Sequence, residues 1–320
     1  MKNRILATAS ALALTVAVSG AHAADAVVPP EYFAPAPVSQ TSGNVGLWLG
    51  GFFPSNYFDE DCCNDSFEVP AYGFGGDARG IHEFSPGNAL QLEFRGLGHT
   101  DMKAGTGSGD DKVGSMFLMG GAHWINRTPN GAWGIFGGIT HEIHAEEEGE
   151  GSGVAFLGAE VARHIANTTI YGQVGGLTRI FQYDDGSEVW ARGVFGRVGA
   201  RHFFTENRKL EGSLAAGGGV TIDADTPSDK DPLFWFQAAA EFEQKSMNGP
   251  FSWFIGYQGD YVAVDEPGGG FKESVWVHTA KIGVRMVIGQ PTLLAQDHLG
   301  VGTFTFVPIE APLMYGDELD

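Results

Sequence analysis

Positive charge is scarce in this chain: 19 Lys and Arg stand against 39 Asp and Glu, a formal net charge of −20. That balance excludes nucleic acid as a partner, because phosphate backbones call for Lys and Arg. Cysteine is scarcer still, and Cys62 and Cys63 are the only two. Two thiols in an oxidising compartment can bridge, but sequence neighbours close only a small, strained ring, so Cys62–Cys63 is a candidate disulfide of labile kind. No apolar stretch reaches the roughly 20 residues that a membrane-spanning helix needs. The run from Ile5 to Val18 falls short, and nothing later replaces it.

Catalytic patterns are also missing. His141-Glu142-Ile143-His144 spaces its histidines at i and i+3 on an expected strand, so they point to opposite faces; the zinc-protease motif needs i and i+4 on a helix. His278-Thr279, the nearest approach to a nucleophile pair, are strand neighbours and likewise diverge. The glycine-rich loops lack the Lys and the strand-to-helix context of a phosphate-binding loop. The sequence therefore predicts no enzyme, no cofactor and no metal centre.

What is present begins with Lys2 and Arg4, the apolar run, and then Ala21-His22-Ala23, the pattern of a secretory signal peptide over residues 1–23. No cysteine follows the cleavage point, which argues against a lipid anchor. Loss of Lys2 and Arg4 takes the net charge from −20 to −22. Residues 24–43 open with Pro29, Pro30, Pro35 and Pro37 and read as an extended, Pro-rich periplasmic lead-in.

From Asn44 to Ile288 twelve alternating apolar runs follow one another: Asn44–Phe53, Ala71–Phe84, Ala89–His99, Val113–Ile125, Ala132–His144, Val154–Ile165, Thr169–Gln182, Val189–Phe204, Leu210–Ile222, Leu233–Gln244, Phe251–Val262 and Val275–Ile288. Their links fall into two classes in alternation. Short ones such as Ser85-Pro86-Gly87-Asn88 follow the even-numbered runs, and longer, acidic ones such as Ala145–Gly153 follow the odd-numbered runs. Short periplasmic turns alternating with longer outer loops is the layout of a transmembrane barrel. The acidic links, including Asp59-Glu60-Asp61 and Asn64-Asp65 around the cysteines, hold most of the negative charge; they read as solvated loops whose hard oxygens also suit Ca²⁺ or Mg²⁺.

Within a run, period two separates the faces. Leu90, Leu92 and Phe94 share one side, and Gln91, Glu93 and Arg95 the other; Phe234, Phe236, Ala238, Ala240 and Phe242 oppose Gln237, Glu241 and Glu243. The sixth and ninth runs are rich in small residues and admit either register. Trp124, Trp133, Phe203, Phe204, Phe251, Trp253 and Trp276, near run ends, are expected in aromatic girdles at the membrane interfaces.

Through runs such as Leu90-Gln91-Leu92-Glu93-Phe94-Arg95, residues 44–288 resemble Gram-negative outer-membrane β-barrel proteins of the porin-like kind. The resemblance implies an all-β, antiparallel transmembrane barrel of about 12 strands, placed in the outer membrane beside lipid and lipopolysaccharide and inserted by the barrel assembly machinery. It also carries a departure. Such barrels commonly end on a strand with a terminal aromatic residue, whereas this chain ends Tyr315-Gly316-Asp317-Glu318-Leu319-Asp320. The tail, 289–320, lies in the periplasm, enters the lumen or adds to the sheet; Gly302-Thr303-Phe304-Thr305-Phe306 alternates like a strand.

The expected inward faces carry Asp77, Arg79, Glu93, Arg95, Glu160, Arg179, Arg197, Arg201, Glu241, Glu243, Asp260, Lys281 and Arg285, with both signs represented. Mixed charges on a pore wall select solutes, so these residues are the expected lining of a passive diffusion channel for small hydrophilic solutes. The alternative is a closed structural or surface-interaction barrel in which the same charges merely pair, as buried ions must.

Overall fold

The computed structural model describes residues 41–59, 71–100, 102–103, 112–113, 115–144, 151–183, 192–222, 230–266 and 270–306. The signal peptide, most of the lead-in, Cys62, Cys63 and residues 307–320 lie outside the described residues. The strands are β1 (Thr41–Asp59), β2 (Ala71–Ser85), β3 (Asn88–Thr100), β4 (Met102–Lys103), β5 (Lys112–Val113), β6 (Ser115–Thr128), β7 (Gly131–His144), β8 (Gly151–Ile165), β9 (Thr168–Tyr183), β10 (Arg192–Thr205), β11 (Arg208–Ile222), β12 (Lys230–Lys245), β13 (Phe251–Glu266) and β14 (Gly270–Ile288). A seven-residue helix, α1 (Leu293–Leu299), follows. Twelve strands close into one antiparallel barrel, and the two-residue strands β4 and β5 pair only with each other, within a long link.

Closure is made by β1 against β14, from Gly43 opposite Ile288 to Asp59 opposite Glu273. A closed sheet has no free edge and satisfies its backbone groups internally, the condition for crossing a bilayer with strands. The barrel strands run 13 to 19 residues, longer than the about 9–11 that span the hydrocarbon layer, so they project beyond it. The twelve runs read from the sequence correspond to these strands in order. β1 starts at Thr41, three residues ahead of the Asn44 reading.

Period two sorts the side chains. Leu47 and Leu49 are 64% and 66% exposed on the outside, while Asn44 and Phe52 of the same strand are buried within. The two ambiguous runs take one register each: Leu157 and Val161 of β8, and Leu210 and Leu214 of β11, face outward, and Phe156, Glu160, Ser213 and Ala215 face inward. Trp133, Phe204, Phe251, Trp253 and Trp276 are exposed on the outer surface, and Trp124 packs edge-on against Trp133 at 5.2 Å. Phe203 does not belong with them. As the immediate neighbour of Phe204 it must face the other way, and it is buried inside against Val287 and Leu293.

Short turns at Pro86-Gly87, Pro129-Asn130, Ala166-Asn167 and Glu206-Asn207, and the link Ser246–Pro250, join the strands at one end of the barrel; the longer links leave from the other. Thr41 and Ile288 lie at the short-turn end. There the chain turns inward at Gly289, whose φ of +80° and close approach to Thr41 O, 2.7 Å from where a Cβ would sit, require glycine. The segment from Gln290 to Phe306 then runs inside the barrel. It is no strand: the described part forms α1, capped by the Thr292 hydroxyl accepting from Ala295 N, and an irregular run to Phe306.

Candidate functional site

The inner wall has two zones. Toward the long-link end, Phe52, Phe117, Met119, Phe136, Phe156, Phe195, Trp235, Val262 and Val277 form a buried apolar layer inside the barrel. Toward the short-turn end lies a belt of charge. It starts at Asp77 on β2, which meets Arg79 at 3.0 Å and Arg285 of β14 at 3.6 Å. Arg285 reaches Glu243 of β12 at 2.7 Å and Glu241 at 3.4 Å, and Lys281 meets Glu241 at 3.4 Å. Lys209 of β11 joins Glu243 at 2.9 Å to Glu211 at 3.7 Å. Glu211 holds Arg201 of β10 at 3.1 Å and Arg197 at 3.8 Å, and Arg201 ends the series on Asp297 of α1 at 2.8 Å.

These residues meet because each inward position faces one on the next strand: Arg201 is opposite Glu211, which is opposite Glu241. Where two like charges oppose one another, as Glu211 and Glu241 do, each has its own cations: Lys209 meets Glu211 at 3.7 Å and Arg285 meets Glu241 at 3.4 Å. Buried ions without such partners would cost several kcal/mol each, on the order of the whole margin of stability.

A second cluster faces the far side of the inner segment. His123 of β6 sits between Glu160 at 2.9 Å and Glu93 at 3.4 Å, and Arg95 meets Glu93 at 3.7 Å. Phe306 stacks on the His123 ring at 4.4 Å and meets Phe156 edge-on at 5.0 Å. Its slot exists because residue 121 has no side chain: a Cβ on Gly121 would come within 2.7 Å of Phe306 Cζ.

The inner segment is tied to the wall along its length. Leu294 N donates to Glu206 O at 3.0 Å, and Gln296 Nε2 to Gly43 O at 3.1 Å. Arg127 Nη2 donates to Gly300 O at 2.8 Å, Arg201 Nη1 to Thr303 O at 2.9 Å, and Gln91 Nε2 to Phe304 O at 2.9 Å. Gln173 Nε2 donates to Thr305 O at 2.8 Å, and Phe306 N donates to Glu93 Oε2 at 3.2 Å. Such bonds contribute about 1 kcal/mol each, more when one partner is charged.

Between this plug and the wall of β1–β3 and β10–β14 remains a cavity of 170 Å³. The belt and Arg95 line it, with Trp48, Phe52 and Leu97 from the apolar zone. Seven cationic side chains (Arg79, Arg95, Arg197, Arg201, Lys209, Lys281, Arg285) and five carboxylates (Asp77, Glu211, Glu241, Glu243, Asp297) border it. The space is thus bordered by an excess of positive charge in a chain that is acidic overall.

Of the inward charges named from the sequence, Asp77, Arg79, Arg197, Arg201, Glu241, Glu243, Lys281 and Arg285 share the belt, and Glu93, Arg95 and Glu160 belong to the His123 cluster. Asp260 is buried apart, accepting from Gln237 at 2.6 Å and Gln258 at 2.9 Å. Arg179 lies on β9, and its side chain is outside the described residues. The sequence reading missed Lys209, Glu211, His123 and Asp297. Lys209 lies one residue before the run that starts at Leu210, and Glu211 lies in a run that admits either register. Asp297 carried no local signal, since its partner is 96 residues away.

No known family profile and no curated protein matches the sequence. Solved structures do. The COG4313 outer membrane channel from Pseudomonas putida F1 is similar with a TM-score of 0.53 at 12% identity, covering 81% of this chain and 99% of that one. The fold is that of a porin-like outer-membrane β-barrel. More distant likenesses to this barrel are the translocator domain of autotransporter NalP from Neisseria meningitidis (TM-score 0.45, 10% identity, 89% and 97% covered) and the Pseudomonas putida toluene transporter TodX (TM-score 0.40, 9% identity, 78% and 90% covered).

Proposed function

We propose that the barrel is a passive diffusion channel of the outer membrane for small hydrophilic solutes, narrowed from the short-turn end by its own C-terminal segment. The observation that carries this reading is the charged cavity between plug and wall, bordered by seven cations and five carboxylates. A wall meant only to fill a barrel has no need of a polar space beside it, whereas ions ranged along a narrow passage set which solutes enter. In this reading the belt residues, with Arg95, line the path. The apolar layer at the long-link end forms a second constriction of the kind that resists wetting. A channel with two such constrictions has small unitary conductance.

Planar-bilayer recording of the purified full-length chain tests the proposal. Small, discrete openings with a weak preference for anions are expected, because cations outnumber carboxylates along the cavity. A membrane that stays silent at every protein concentration would instead favour a closed, structural barrel.

A further inference from the structure

We infer that His164, Asp297 and His298 form a divalent transition-metal site of the Zn²⁺ class that joins the plug to the barrel wall. One ligand comes from β8 and two from α1, at the short-turn end. Their ligand atoms lie within 4.8 Å of one another. Asp297 Oδ2 stands 4.0 Å from His164 Nδ1 and 3.8 Å from His298 Nε2, and the two imidazole rings pack with centroids 3.9 Å apart. An ion bonded tetrahedrally at about 2.1 Å sets its ligand atoms about 3.4 Å apart, so each histidine closes on the carboxylate by roughly half an ångström.

Two features mark this as more than a chance grouping. His298 is 10% exposed, and its Nε2 is buried without a hydrogen-bond partner among the described residues. A buried imidazole nitrogen left this way costs free energy that a bond to metal would recover. Asp297 is oriented from both sides: Arg201 Nη1 donates to Oδ1 at 2.8 Å and the Thr169 hydroxyl donates to Oδ2 at 2.5 Å, the supporting shell that ligating carboxylates use. His164 Nδ1 now lies 2.9 Å from Thr169 Oγ1, so ligation turns this ring from the hydroxyl toward Asp297, and the two close-packed rings are then both neutral ligands around one cation.

The donor set fixes the metal class. Two imidazoles and one carboxylate suit Zn²⁺, Ni²⁺ or Cu²⁺, while Ca²⁺ and Mg²⁺ take oxygen shells. Three protein ligands leave a fourth position for water. Because wall and plug supply ligands together, only the plugged state holds the ion. At a hundredfold excess over Kd the metal would favour that state about a hundredfold.

Calorimetric titration of Zn²⁺ into the refolded full-length protein in detergent, near neutral pH, tests the site. One ion per chain is expected. His164→Gln alters only the wall and His298→Gln only the plug, so a loss common to both is not a folding defect of either element. Each should weaken binding at least tenfold, and the double variant should retain only weak, nonspecific uptake. A wild-type chain that takes up no Zn²⁺, or single and double variants that keep its affinity and stoichiometry, would overturn the inference.

Discussion

Replacing Asp297 with alanine should release the plug while leaving the barrel intact. Asp297 is 3% exposed and ties the plug to Arg201, itself 1% exposed, and to Thr169, which face each other on the neighbouring strands β10 and β9. Removing one partner of a buried pair costs about 3–5 kcal/mol. Arg201 keeps Glu211 at 3.1 Å, which places the loss toward the lower bound, and the Thr169 hydrogen bond adds about 1 kcal/mol. A net change of about 3 kcal/mol shifts the docked-to-released ratio by about two orders of magnitude. The cost falls on the plug because none of the backbone ladders that close the barrel involves residue 297. Val301 is fully buried and serves as reporter. In a Cys62→Ser/Cys63→Ser background, Val301→Cys should resist a thiol reagent when Asp297 is present and react at least tenfold faster in Asp297→Ala. Equal protection in the two proteins would mean that the Arg201–Asp297 pair does not hold the segment.

Other consequences are separable from that one. Gly289→Val places a Cβ 2.7 Å from Thr41 O at a φ of +80°; it should cost on the order of 1–3 kcal/mol and expose the same Val301→Cys reporter while the heat-resistant mobility of the barrel on gels is kept. Phe306→Ala empties the slot over His123 and beside Phe156; a loss of about 3–5 kcal/mol should loosen the segment at its inner end, read as protease cleavage C-terminal to Gly300. Arg95 and Lys281 are the more solvent-reached cations of the interior, with side chains 24% and 26% exposed. Arg95→Gln/Lys281→Gln should therefore move the reversal potential toward cations with little loss of stability, an effect that shrinks as salt shortens the Debye length below about 8 Å.

The sheet was legible because a barrel wall obeys one local rule. Leu90 to Arg95 alternates strictly, since each residue meets either lipid or lumen, and the pairing Asp77–Arg95 and Arg79–Glu93 across β2 and β3 follows from that alternation. The same rule gave the inward charges but not their partners, because which residues meet across a closed lumen depends on curvature and on what fills it. The plug obeys no such rule. Thr303, Phe304 and Phe306 are all fully buried, because the segment is enclosed on every side, and an alternating Gly302–Phe306 pattern there does not signal a strand. Phe203 differs for a related reason: a place near a strand end does not by itself make a girdle residue, and the parity of Phe203 turns it onto Leu293 of the plug.

Single-channel recording of the full-length protein beside its Asp297→Ala variant tests most directly the claim that the lumen conducts and the C-terminal segment restricts it. Small openings in the first and larger, longer openings in the second, at unchanged barrel stability, are the expected result. Silence in both, with the Val301→Cys reporter showing the plug released, would contradict the account.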